Sequence, residues 1–204
     1  MAKQIIDISD IERIENEEKF MVDALDIKPE FMKDTKITAA HKGTIMHICF
    51  QKLDLRKNYS LEDLKELVNK LVHDRLITEE EKNTINIYKL KSFVDSEFAK
   101  RIREAEKIEK EKPFYTYVKA REIYNRESDE NILVQGIIDL YYKEKDGNIV
   151  LVDYKTDYVQ NEEELVEKYK IQLELYKNAL ENALGTKIND VYIYSIYLEK
   201  EIKV

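Results

Sequence analysis

The sequence predicts an α/β fold: a mixed central sheet of about four or five strands, flanked by helices, with an extra helical layer from the N-terminal half. Three observations predict it. Apolar residues recur at helical spacing through most of the first half of the chain. Near residue 109 the period shifts towards two. A strand–turn–strand pattern around Asp146-Gly147 is then followed by one long capped helix and a closing strand.

The elements follow in order. The opening stretch, MAKQIIDISDIERIENEEKF, is charged and weakly periodic, and reads as a helix that adds little core. After KPEF, Thr38 is an N-cap signal, and Ile45, Ile48, Cys49 and Leu53 form an apolar stripe at helical spacing. His47 lies off that stripe, on a side shared with Gly43, Phe50 and Gln51. Ser60 caps a second helix whose Leu61, Leu64, Leu67, Val68 and Leu71 face one way. Thr78 with Glu81 is a capping box, and helix is expected to continue through Ile108. KPFYTYVKAREIYNRE reads as one or two strands. NILVQGIIDLYYKEKDGNIVLVDYKTD reads as two more, joined at Asp146-Gly147, a strong hairpin signal. Asn161 with Glu164 starts a long helix that Gly185 ends, and NDVYIYSIYLEK is a last strand. The expected organisation is one domain over 1–204, with a helical part to about 108 and a sheet core from about 109.

Composition narrows the function classes. Charged residues make up 37% of the chain, while Gly and Pro number only four and two, which argues against long loops. No apolar run is long enough to span a bilayer, and no secretory leader is expected at the start. The one cysteine, Cys49, cannot supply an iron–sulfur cluster, and a reducing cytoplasmic compartment is expected. A formal charge of −8 disfavours non-specific binding to a polyanion, though an acidic site carrying metals can still act on one. The chain contains no G-x-x-x-x-G-K-[ST] loop, so no ATP site of that kind is expected.

The chemistry concentrates in the hairpin. Along NIVLVDYK side chains alternate, so Asp153 and Lys155 share one face and Tyr154 takes the other. Across the hairpin Asp139 can approach Asp153. Two such carboxylates repel unless one is protonated or a cation sits between them, and oxygen ligands suit Mg²⁺ or Mn²⁺. Lys155 can then orient or deprotonate a water, or hold a phosphate oxygen. The competing reading is a buried Asp–Lys ion pair with Asp139 at a strand end. Three ionisable groups in two core strands are costly without a function, which favours the chemical reading.

The spacing Asp139-(x)13-Asp153-x-Lys155 resembles the PD-(D/E)XK nuclease signature, and GIIDL and VDYKTD resemble its RecB-type branch. The ordered set KPEF, HKGTIMHICFQKLD, EKPF, VQGIIDLYY, VDYKTD and QLELY is similar to the C-terminal nuclease domain of the AddA family of helicase–nucleases, from about Lys28 to the end. That resemblance implies a restriction-endonuclease-like core. It implies metal binding by His47, Asp139, Asp153 and the Tyr154 carbonyl, with Mg²⁺ as the ion and Mn²⁺ as a substitute. It implies Lys155 as the catalytic lysine, Glu111 assisting through a water or a second metal, and Gln172, Tyr176 and Thr156 as supports beside the site. Gln172 and Tyr176 are four apart, on one helix face. His41 and His73 read as ordinary helix histidines. The implied partners are DNA, mainly single strands, the helicase part of a longer parent chain and an AddB-type subunit. The alternatives are a non-catalytic module that guides DNA or binds a partner protein, and a stand-alone nuclease of phage or defence biology.

Overall fold

A computed structural model of the chain describes residues 5–8, 37–123 and 129–204. KPEF and most of the opening stretch lie outside the described residues. Within that stretch, Ile5–Asp7 forms a strand, β1, where weak periodicity suggests helix. Its three residues pair in parallel with Leu133–Gln135, and an open sheet edge outweighs a faint local pattern.

Among the described residues five helices follow: α1 (Ala39–Lys52), α2 (Leu61–His73), α3 (Glu79–Lys82), α4 (Ile87–Asp95) and α5 (Glu97–Glu104). Each starts where a side chain satisfies a free backbone N–H. Thr38 accepts from His41, and Ser60–Asp63 and Thr78–Glu81 are reciprocal capping boxes. Asn86 and Ser96 cap the last two. Helix ends at Glu104, earlier than expected, and β2 (Lys107–Lys119) begins at Lys107. Glu and Lys are good helix formers, so KIEKEK carries no local stop signal; its pairing with β3 (Asn131–Lys143) makes it a strand. The expected strand run through AREI also stops short, because Ala120–Ile123 is a turn of helix, α6.

The hairpin is as expected: β3 and β4 (Ile149–Lys155) flank the turn at Gly147, whose φ is +96°. From β4 the chain enters α7 (Glu162–Leu184), capped by Asn161 and closed by Gly185 in the left-handed region. It returns as β5 (Asp190–Ser195), parallel to β4. The sheet then gains a strand the sequence did not announce, β6 (Lys200–Lys203), antiparallel to β5. Its KEIK buries only Ile202, the pattern of a charged edge strand.

Among the described residues the sheet has six strands, with β3 at its centre. One edge of β3 pairs with β2 along its whole length. The other edge is shared: β1 takes Leu133–Gln135 and β4 takes Leu140–Lys143, leaving residues 136–139 between them. Past the Leu140–Val152 pair the two hairpin strands diverge, and a fork opens at Asp139.

Two apolar layers cover the sheet. On one face Ile45, Phe50, Leu64, Phe93 and Phe98 from the helices pack on Leu140, Val150, Val152, Tyr154 and Tyr194. On the other, Leu165, Leu173, Tyr176 and Leu180 of α7 pack on Phe114, Val134, Ile138, Leu151 and Ile193. Phe50, whose spacing groups it with His47, is only 1% exposed. Helix α1 is wedged between helices and sheet, so its apolar face is wider than one stripe. The Phe50 ring lies 4.9 Å from Phe93 and 4.7 Å from Tyr154, centroid to centroid. Phe50→Ala should therefore lower the unfolding free energy by about 3–5 kcal/mol, read from urea midpoints at unchanged slope.

Candidate active site

Alternation along β4 divides three consecutive residues between the two layers. Tyr154 sends its ring into the helical layer, among Phe50, Phe93 and Tyr194. Asp153 and Lys155 face α7. At the fork, no β3 carbonyl is opposite the Tyr154 N–H, and the Asp139 carboxylate takes its place, accepting through Oδ2 at 2.9 Å.

Helix α1 reaches the same point from the other layer. Gly43, His47 and Gln51 are spaced four apart, on one row of the helix. His47 Nε2 lies 3.2 Å from Asp139 Oδ2 and 3.2 Å from the Tyr154 carbonyl oxygen. Burial alone would lower the His47 pKa, but the hydrogen bond and charge of Asp139, with the nearby charge of Asp153, raise it to about 9. Gln51 donates to Glu111 Oε2 at 2.5 Å. Gly43 is there for closeness: a Cβ on it would lie 2.6 Å from Thr156 Oγ1. Thr156 therefore packs against α1 just beyond the end of β4.

From the α7 side, Lys155 Nζ sits 2.9 Å from Asp153 Oδ2 and donates to Gln172 Oε1 at 2.9 Å. It also stands 3.9 Å from the centre of the Tyr169 ring, a cation–π contact. Gln172 Nε2 in turn donates to the Tyr176 hydroxyl at 3.0 Å, which fixes the amide with its oxygen towards the lysine. Tyr176 is held edge-on by Phe114. Asp153 is 2% exposed, and its Oδ2 makes no hydrogen bond despite the nearby ammonium. Burial pushes its pKa up; the Lys155 charge opposes this and the Asp139 charge adds to it.

Glu111 faces Asp139 across the β2–β3 ribbon, and its φ of +53° is in the left-handed region. The registered pairs Lys110–Leu140 and Lys112–Ile138 flank it without a bulge. The ribbon changes layers here. Ile108, Leu140 and Tyr142 pack with the helices, whereas Phe114, Val118 and Ile138 pack with α7. Burial raises the Glu111 pKa, against the hydrogen bond from Gln51. Lys110 beside it donates to the carbonyls of Gln51 and Leu53, capping the end of α1.

The structure thus gathers His47, Asp139, Tyr154, Asp153, Lys155, Gln172, Tyr176, Glu111 and Thr156 around one fork. His41 and His73 lie elsewhere, paired with Glu81 and Asp74. Gln51 and Asp157 are additions. Gln51 was legible only as a residue one turn beyond His47. Asp157 accepts from Lys168 and Tyr169 on α7, at 2.6 and 2.8 Å, and pins the loop after β4.

Among the described residues, no three His, Cys, Asp or Glu side chains come close enough to hold a metal by themselves. The convergent donors include a backbone carbonyl, and Asp153 is directed at Lys155. The donor set nevertheless suits a hard cation. An ion with bonds of about 2.0–2.1 Å sets adjacent octahedral ligands roughly 3 Å apart. His47 Nε2 lies at about that spacing, 3.2 Å, from two oxygens. Asp153 Oδ2, ion-paired with Lys155 but accepting no hydrogen bond, supplies a further oxygen.

Comparison with known proteins assigns the class: the chain belongs to the PD-(D/E)XK nuclease superfamily, whose family model matches residues 18–202. The relatives are more particular. The chain is 40% identical to the A subunit of the ATP-dependent helicase/nuclease of Thermoanaerobacter sp. (strain X514), over 94% of this chain and 17% of that protein. It is 36% identical to the protein of that name in Clostridium perfringens (strain 13 / Type A), over 98% of this chain and 18% of that one. With the Clostridium botulinum (strain Hall) protein the identity is 40%, over 87% and 14%. The chain therefore spans less than a fifth of the length of these relatives.

The backbone at Glu111 gives a stability test. Alanine keeps the left-handed strain and glycine relieves it. Glu111→Gly should be more stable than Glu111→Ala by about 1 kcal/mol in urea unfolding, although glycine is the poorer strand residue elsewhere.

Proposed function

We propose that this chain is the nuclease domain of a longer helicase–nuclease, hydrolysing phosphodiester bonds in DNA strands that an ATP-driven motor delivers. One observation carries the reading: His47 Nε2, Asp139 Oδ2 and the Tyr154 carbonyl converge beside the buried Asp153–Lys155 pair. The relatives' names add the context of a motor, and the part of their length that this chain does not span is where it would lie. The role is exonucleolytic, in recombinational repair of double-strand breaks. An AddB-type subunit is the protein partner and the cytoplasm the compartment. Among the described residues no helix is long and apolar enough to cross a membrane.

His47, Asp139, Asp153 and the Tyr154 carbonyl would hold Mg²⁺, or Mn²⁺ in its place. When bound there, the ion supplies positive charge to the scissile phosphate and lowers the pKa of an attacking water. The chain's own residues do the rest. Lys155, held by Gln172 over the Tyr169 ring, presents an ammonium that orients the water or stabilises charge growing on the phosphate. Tyr176 keeps Gln172, and so Lys155, in place. Gln51 holds Glu111 near the same point, where it can accept a hydrogen bond from a water.

This division of roles is open to test by metal removal and by substitution. Removing divalent ions with EDTA should abolish cleavage of a labelled single strand. Asp139→Ala and His47→Ala should lose Mn²⁺ binding in calorimetry, while Lys155→Ala should keep it yet cleave at least about 100-fold more slowly. Wild-type cleavage by Lys155→Ala, or cleavage in EDTA, would refute the reading. Charge gives a second test. At −8 the isolated chain should bind DNA weakly, prefer single strands and show a shallow dependence on salt, measured by fluorescence titration. Tight, steeply salt-dependent binding to duplex would instead point to a self-sufficient nuclease.

A further inference from the structure

Strand β4, which presents Asp153 and Lys155, and its parallel neighbour β5 end beside two exposed tyrosines. Tyr158 lies in the loop between β4 and α7, three residues after Lys155, and is 75% exposed. Tyr197 lies in the turn between β5 and β6, two residues after Ser195, and is 38% exposed. Because β4 and β5 are parallel and Lys155 is in register with Ser195, both tyrosines leave the same end of the sheet. Their ring centres are 4.6 Å apart, tilted by 55°. Neither ring belongs to the two core clusters, and together they form a contiguous exposed aromatic patch at the end of the sheet.

The pair is built rather than incidental. Lys89 of α4 donates to the carbonyls of Ile196 and Tyr197, at 2.9 and 3.3 Å, and clamps the turn. The same ammonium stands 5.0 Å from the centre of the Tyr197 ring. On the other side, Asp157 ties the loop to Lys168 and Tyr169, immediately before Tyr158. Lys89 thus contacts Tyr197 and Tyr197 contacts Tyr158, whose ring is the more exposed of the two.

We propose that Tyr158, backed by Tyr197, is a stacking platform for one unpaired base of the DNA strand beside the scissile phosphate. The proposal rests on the nuclease reading and deepens it by naming how the strand is positioned. Three extended residues span at most about 10 Å, so a strand held at Lys155 carries its neighbouring bases past this ring. Base stacking on an aromatic face is indifferent to sequence, as processive degradation requires, and needs an unpaired base, which selects single strands. The adjacent lysine places positive charge next to the polyanion within a molecule that is negative overall.

The test is binding in EDTA, where no cleavage is expected, with a short fluorescent thymidine oligonucleotide and its abasic counterpart. The wild-type chain should prefer the base-bearing strand. Tyr158→Ala should weaken binding to that strand about tenfold and leave the abasic strand unaffected, while Tyr158→Phe should retain the preference. Urea unfolding of each variant checks that the exposed substitution leaves the fold intact. If Tyr158→Ala binds both strands as the wild type does, the platform is refuted, and unaltered wild-type cleavage with Mg²⁺ shows that the nuclease reading survives it. If the wild type prefers the base-bearing strand through Tyr158 yet never cleaves with Mg²⁺, the platform stands and the nuclease reading falls. Equal loss of both strands in Tyr158→Ala would also refute stacking, since the ring would then be supporting the backbone path instead.

Discussion

The hydrogen bond from the Tyr154 amide to the Asp139 carboxylate is the interaction on which the site depends. A sheet strand normally gives its N–H groups to a neighbour's carbonyls. At the fork in β3 that neighbour is missing, because β1 and β4 share one edge and leave residues 136–139 unpaired on it. A carboxylate replaces the missing carbonyl and so becomes part of the ladder. It is thereby buried, oriented and left with lone pairs to spare. The carbonyl on the other side of the same residue faces His47. One residue, its ring locked among core aromatics, thus sets two of the three atoms that converge there.

The two layers make different contributions. The helical layer brings a single row of α1, Gly43, His47 and Gln51, so close that a Cβ at residue 43 would force the Thr156 hydroxyl to shift. The α7 layer brings Gln172 and Tyr176, which convert a flexible lysine into a fixed one. Neither layer alone contains the site. The left-handed Glu111 lies where the β2–β3 ribbon passes from one layer to the other, which puts Asp139 within reach of both. Strain of about 1–3 kcal/mol for such a residue is tolerable only where the surrounding pairs over-determine it, as the unbroken register on each side does here.

Electrostatically the site sets two buried carboxylates against the basic groups of His47 and Lys155. Asp139 and Asp153 are nearly inaccessible, one oxygen of Asp153 has no hydrogen bond, and the histidine beside Asp139 carries a raised pKa. Buried pairs of this kind add little to stability compared with apolar packing. The fold is held by the aromatic and aliphatic layers, which allows the charged groups to be arranged for chemistry.

What the sequence determined by itself was whatever local periodicity and short motifs encode. The caps at Thr38, Ser60, Thr78 and Asn161 and the Asp146-Gly147 turn were legible because each satisfies backbone groups within a few residues. So were the shared face of Asp153 and Lys155 and the four-residue spacing of Gln172 and Tyr176. The ordered motifs extended this to His47 and Glu111, which no spacing rule connects to the hairpin. Only the tertiary structure decided the rest. Strand β1, the start of β2 at Lys107 and strand β6 exist because a partner edge is available, and pairing energy is absent from a segment's own composition. The burial of Phe50, the left-handed turn of Glu111, the bond from Gln51 and the closeness at Gly43 all depend on what packs opposite. A sequence specifies which groups can donate, accept or bury; which of them meet is set by long-range register and layer packing, and that is where this site was assembled.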